Sequence, residues 1–316
     1  MLKTILRIIA GVAVLVVIFI VCVMLMFTAA KLDVADVAFG DLPPASPPAG
    51  MSISVMPTGS MESRGALAFR GGSWNDIRQF SMTAFLVRHP KGDLLIDTGF
   101  GKNIDAHIKM LPSIMQSLTT YSKGSSAAEQ LRANGIDPSK LAGVIITHAH
   151  WDHVSGLDEF PGVPVLVDAA ETEFIGQKTF NTELLNSFSN VNYKQYDFEG
   201  GPYLGFPKSH DFYGDGSVVI VPSPGHTPGS VAVFVTLPSG IRYALLGDLV
   251  WQNEGIEIPA ERPWPIRRLI GENDTQVREN IGRFVAISKK YPQIHLLPAH
   301  DARAFRMLPV LPSNAN

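Results

Sequence analysis

Four apolar runs in this chain each stop at a short turn carrying a side chain able to bind metal, which calls for strands that deliver ligands to one sheet edge. Ala142-Gly143-Val144-Ile145-Ile146 runs into His148-Ala149-His150-Trp151-Asp152-His153. Val218-Val219-Ile220-Val221 leads to Pro224-Gly225-His226-Thr227-Pro228-Gly229, Tyr243-Ala244-Leu245-Leu246 to Gly247-Asp248, and Ile294-His295-Leu296-Leu297 to Pro298-Ala299-His300-Asp301. The first turn packs three histidines and an aspartate into six residues, although the whole chain of 316 residues holds only nine histidines. Protonated imidazoles that close would repel one another, and a bound cation resolves the crowding.

An upstream run, Asp93-Leu94-Leu95-Ile96, ends in Asp97-Thr98-Gly99-Phe100. With these turns in this order, residues 51–305 resemble the metallo-β-lactamase fold superfamily. The resemblance implies an α/β fold, an αββα sandwich of two mixed sheets flanked by helices. It implies two divalent metal ions, one held by His148, His150 and His226, the other by Asp152, His153 and His300, with Asp248 bridging both. Asp97 would be the buried carboxylate that orients a ligand histidine. Five of the seven expected ligands are imidazoles, so zinc is the expected metal. His150 stands where a glutamate would mark the di-iron redox branch.

Two cations about 3.5–4 Å apart can share a water and lower its pKa, so the expected reaction is hydrolysis by a bridging hydroxide, with Asp152 passing the proton to the leaving group. The bridging Asp248 and the Asp152-His153 pair resemble the lactonase, thioesterase and phosphodiesterase branches, and the turn at His300 resembles the acyl-homoserine-lactonase-like group. Two positions depart from those lactonases: Trp251 replaces a tyrosine that bonds substrate, and Ser230 replaces a second histidine. The expected substrate is a small lactone or ester. A phosphodiesterase is the second reading, with Arg262, Arg267 and Arg268 as its phosphate clamp. A non-catalytic metal-binding sensor is the third, and the complete ligand set argues against it.

The amino-terminal segment differs from the rest. Ile8 to Phe27 is twenty residues without a charge, about 30 Å as a helix, and long enough to cross a bilayer. A cleaved signal peptide usually has an apolar core of only about 7–15 residues, and Thr28-Ala29-Ala30 is an imperfect cleavage site. Lys3 and Arg7 precede the span, whereas Lys31, Asp33, Asp36 and Asp41 follow it, which puts the amino terminus in the cytoplasm and the catalytic domain on the periplasmic or extracytoplasmic side. The expected organisation is a transmembrane anchor over 1–30, a Pro-rich linker over 31–50 acting as a semi-rigid spacer, and a catalytic domain over 51–316. Cys22, the single cysteine, lies inside the span, so the outer domain has no thiol to oxidise.

At 46% hydrophobic and 17% charged the chain can bury a large core, and strands alternating with helices suggest α/β layers. The net charge is −3, no basic stripe accompanies an aromatic cluster, and a nucleic-acid surface is not indicated. Strands are expected over Met51–Val55, Met82–Arg88, Asp93–Ile96 and Val165–Val167, a hairpin over Val231–Leu246, and helices over Ser126–Asn134 and Asp274–Lys290. Ile104, Ile108, Leu111, Met115 and Leu118 form a helical stripe broken by Pro112, which reads first as core packing and alternatively as an apolar wall, with Met115, over the metals. Pro259–Ile270, with Trp264, is a candidate specificity loop, and Trp251 a pocket wall or oxyanion contact.

Overall fold

Strict alternation along two strands separates the layers of the molecule. On β2 (Ile77–Arg88), Leu86 faces one core while Phe85 and Val87 face another. On β10 (Val231–Thr236), Val231, Val233 and Val235 share that second core, and Ala232 and Phe234 turn to a third. Both strands are therefore apolar on both faces, as interior strands of a helix-covered sandwich must be. The computed structural model describes residues 2–34, 37, 39–189 and 191–316. Asp36, counted above in the charge bias, lies outside them.

The first sheet has seven strands in the order β4 (Thr120–Lys123), β1 (Ser52–Arg64), β2, β3 (Leu94–Ile96), β5 (Gly143–Ile145), β6 (Pro164–Val167), β7 (Asn192–Gln195). The second has five, ordered β12 (Ile294–Leu297), β11 (Arg242–Leu245), β10, β9 (Val218–Pro222), β8 (His210–Asp211). Each sheet mixes parallel and antiparallel pairs, as expected. The middle core lies between them, and the helix Asp274–Lys290 covers the second sheet through Val277, Ile281 and Phe284. On the first sheet, Ala127, Ala128 and Leu131 of the helix Ala127–Ala133 pack inward; Ser126 and Glu129 close its first turn as a capping box.

Strand direction gathers the ligand turns. β3 and β5 run parallel, as do β11 and β12, and β9 and β11 are both antiparallel to β10. The turns that follow β3, β5, β9, β11 and β12 therefore open at corresponding sheet edges. Gly247 sits at φ 53°, a left-handed conformation natural to glycine, to turn the chain from β11 into Asp248.

Three local expectations change. β1 runs on to Arg64, past the apolar Met51–Val55, because its outer half pairs with β2 on one side and β4 on the other. The stripe from Ile104 divides into the helix Ile104–His107, a 3₁₀ turn and the helix Ser113–Leu118, with Ile104, Ile108 and Leu111 buried in the first core. The Pro-rich linker does not stand free as a spacer: Leu32, Val34, Phe39 and Leu42 pack on the third core. Its backbone oxygens also serve buried donors, Pro43 accepting from Arg242 and Gly40 from Tyr291. Such donors need partners, and the strap supplies them.

The helix Leu2–Leu25 is long and apolar enough to cross a membrane, with mean hydropathy 3.4 and none of that window buried. The chain just past its end is bonded to the loop at Arg70 and Gly71, the Gly71 N–H donating to Phe27 O at 2.9 Å and Arg70 Nε to Thr28 O at 3.1 Å.

Candidate metal centre and active site

All seven histidine and aspartate residues expected as ligands converge. His148, His150 and His226 form one group; Asp152, His153, Asp248 and His300 form another, and within each group the ligand atoms lie inside 4.8 Å of one another. Asp248 faces both. Its Oδ2 is 3.3 Å from His226 Nε2 and 4.0 Å from His148 Nε2, while its Oδ1 is 2.9 Å from His300 Nε2 and 3.1 Å from His153 Nε2. Asp152 Oδ2 is 3.4 Å from His300 Nε2.

Three of the ligand rings are held from behind. His153 Nδ1 meets Asp97 Oδ2 at 2.7 Å, and Asp97 also accepts from the Thr147 amide and hydroxyl. Asp97 adopts φ 53°, uncommon for a residue with a side chain, and these bonds together with its own N–H to Ile145 O hold it there. His300 Nδ1 donates to Ser81 O at 3.0 Å, which turns Nε2 toward the centre. His226 Nδ1 meets Glu272 Oε1 at 2.8 Å. Such partners fix tautomer and ring orientation.

The donor set fits a pair of divalent cations. His148 Nε2 is buried without a hydrogen-bond partner, and His150 Nδ1 lies 2.8 Å from His226 Nε2, so ring nitrogens crowd together in a dry site, an expensive arrangement unless something else takes their electron pairs. Burial and the neighbouring imidazoles hold His148 and His150 well below the usual histidine range, so both are neutral and able to ligate. Burial opposes charge on His153, yet Asp248, Asp97 and Asp152 hold it well above that range; Asp248 likewise raises His300. Asp248, despite burial, is held well below the usual carboxylate range by His300 and His153.

A cavity of about 160 Å³ lies against this cluster, lined by Phe80, Met82, Met115, Trp251, Ile266, Leu269 and Ile270 alongside Asp152, Asp248 and His300. Met115 and Trp251 are thus in its wall. Trp264 is not: the side chain stands 45% exposed at the start of the helix Trp264–Ile270, and its later neighbours line the cavity instead. Trp251 has a second task. Its indole Nε1 donates to Asp248 Oδ2 at 2.7 Å, so the N–H expected to be free for an oxyanion is already committed. Ser230 does not reach the cavity, being bonded through Oγ to the Thr227 hydroxyl and amide inside its own turn.

The arginines expected as a phosphate clamp are neutralised. Arg262 binds Glu272 and lies 4.7 Å over the Trp251 ring, Arg267 pairs with Glu261 and Asp274, and Arg268 with Asp274. Two further carboxylates, marked by no motif in the sequence, hold the site together. Glu272 orients His226, and Glu171 accepts from the Ala149 amide at 2.6 Å, the Thr227 hydroxyl at 2.7 Å and the Gly229 amide at 2.9 Å. Glu171 thereby ties the His148–His150 turn to the His226 turn. Gly229 has to be glycine for this, since a Cβ there would meet the Glu171 nitrogen at 2.2 Å.

Comparison with known proteins identifies the fold. The model of the metallo-beta-lactamase superfamily matches residues 78–289, more than half of the chain. The chain belongs to that superfamily. This metallo-β-lactamase superfamily member, with its cluster of histidine and aspartate ligands, is a metal-dependent hydrolase. A probable metallo-hydrolase of Mycobacterium tuberculosis is 28% identical over 243 residues, 70% of this chain and 75% of that protein. An N-acyl homoserine lactonase of Azorhizobium caulinodans is 30% identical over 164 residues, 49% of this chain and 59% of that protein. In fold the chain is similar to a solved N-acyl homoserine lactone hydrolase, with TM-score 0.65 at 17% identity over 86% of this chain and 100% of the other.

Proposed function

We propose that this chain is a membrane-anchored, outward-facing hydrolase that opens lactones or cleaves esters, using two zinc ions. The observation that carries this reading is Asp248, whose two oxygens each face a separate group of ligands beneath an apolar cavity. A bound pair of divalent cations would supply Lewis acidity toward the substrate carbonyl and would lower the pKa of the attacking water. His148, His150 and His226 would hold the first ion, Asp152, His153 and His300 the second. Asp97, Glu272 and the Ser81 carbonyl keep the ligand rings from turning. Asp152 moves the proton given up by the attacking water to the departing alkoxide oxygen. Met115, Trp251 and Leu269 exclude water around the acyl group.

The likeness to proteins named N-acyl homoserine lactonase supports a lactone or a related ester, and the neutralised arginines argue against a phosphodiester. Anchoring is supported by the length and exposure of the Leu2–Leu25 helix, and the outward orientation by the lysine and arginine bias before it. The test is the full-length chain in detergent, loaded with zinc and offered lactones, thioesters, β-lactams and bis-p-nitrophenyl phosphate. Turnover of a lactone or ester is expected. Turnover of the phosphodiester alone would refute the assignment.

A further inference from the structure

The loop that holds the end of the apolar helix also carries the walls of the active-site cavity. Gly71 and Arg70 bond the backbone of Phe27 and Thr28, and the Trp74 ring packs on Phe27 with centroids 5.2 Å apart. In the same loop Ser73 O accepts from the Ala66 N–H, one residue before Leu67, which lines the cavity. On its other side the Arg70 N–H donates to Glu261 O, and Glu261 pairs with Arg267 at 3.1 Å. Arg267 lies on the helix whose Ile266, Leu269 and Ile270 form the opposite wall. Both walls are therefore fastened to the helix end, and Leu67 is only four residues from Gly71, at most about 14 Å of chain.

Apolar side chains stand exposed on the segments that carry both walls. Trp74 is 54% exposed, Ile77 57%, Trp264 45% and Leu269 36%. Exposed apolar residues on segments joined to an apolar helix end mark an interaction surface, and tryptophan in particular collects at the membrane interface. The occupant is fixed by the chain itself, because the Leu2–Leu25 helix leaves from this same surface and none of its apolar window is covered by protein.

We infer that the mouth of the cavity sits on the bilayer surface, and that the enzyme takes a substrate whose acyl chain is partitioned into the membrane, the chain entering between Leu67 and Leu269. The inference rests on the reading of the chain as an anchored lactone or ester hydrolase and names its substrate class. The acyl chain reaches the wall of Leu67, Ile266, Leu269 and Met115 without crossing water, while the lactone or ester group, which stays at the interface, meets the metal ligands.

The test uses the full-length chain reconstituted in phosphatidylcholine vesicles. With acyl chains brominated near the headgroup, tryptophan emission is expected to be quenched, and the quenching to be largely lost in the Trp74→Phe/Trp264→Phe double variant. In unbrominated vesicles, kcat/KM for one headgroup carrying acyl chains of increasing length should rise by up to about fourfold per methylene. Leu269→Ser should lower the ratio of long-chain to short-chain kcat/KM. Unquenched tryptophan emission, or a rate independent of chain length, overturns the inference even if hydrolysis proceeds. Quenching without turnover of any lactone or ester supports the membrane-seated mouth and refutes the lactone or ester assignment instead.

Discussion

Glu171→Gln is expected to destabilise the chain at pH 5 and to lose or reverse that effect by pH 8. Burial pushes the Glu171 carboxyl up from 4.5 to about 7, against the pull of its bonds from Thr227, Ala149 and Gly229. Below pH 4.5 both folded and unfolded chains hold the proton; above about 7 neither does; between them only the folded chain does. Folding in that window binds a proton, so the stability from this group is fully present at acidic pH and is lost as pH rises through about 7. A change from 4.5 to about 7 corresponds to about 3 kcal/mol. Glutamine lacks this titration and resembles the protonated acid, except that its amide would face the Gly229 N–H at the Oε2 position, at a cost of about 1–3 kcal/mol. The variant should therefore be less stable than the parent at pH 5 and as stable or more so at pH 8. Urea unfolding of both proteins in the same detergent, with chelator present so that metal loss is common to both, measures the difference at each pH. A difference that stays flat or grows in the parent's favour as pH rises would refute the account of Glu171 as a carboxyl strained by burial.

The remaining predictions concern the metals and the proton. Asp248→Ala should bind at most one metal per chain and lose activity, and elemental analysis finding two would refute the bridging role assigned to Oδ1 and Oδ2. Asp152→Asn should lower kcat by about 10²–10⁴-fold with a smaller effect on KM, read from steady-state kinetics at saturating zinc. Trp251→Phe keeps the ring over which Arg262 lies but removes the donor to Asp248 Oδ2, and Glu272→Gln weakens the hold on His226. Each should weaken zinc affinity by about 10–100-fold in a chelator competition, and unchanged affinity would show that these contacts do not orient the ligands.

The sequence alone determined the ligand turns. Each is local, a run of β-branched and aliphatic residues followed within a few positions by the histidine or aspartate it presents, so His148, His150, His226, Asp248 and His300 could be picked out without coordinates. The same locality made Asp97 legible, because its turn directly follows β3. The apolar helix was equally plain, being a matter of length and composition. What supports the ligands was not legible: Glu171 lies 22 residues from Ala149, and Glu272 lies 46 residues from His226, each inside an ordinary polar stretch near a helix start. Likewise Trp251 reads as a pocket wall until the backbone turn after Asp248 brings its N–H onto the carboxylate. The Pro-rich segment composes like a free spacer, yet four apolar side chains pack on the third core, and two of its carbonyls find partners in Arg242 on the second sheet and Tyr291 at the end of the helix covering it. A ligand advertises itself by its residue type at a strand end, whereas a supporting residue is defined only by what it touches, and those contacts exist only once distant segments have packed.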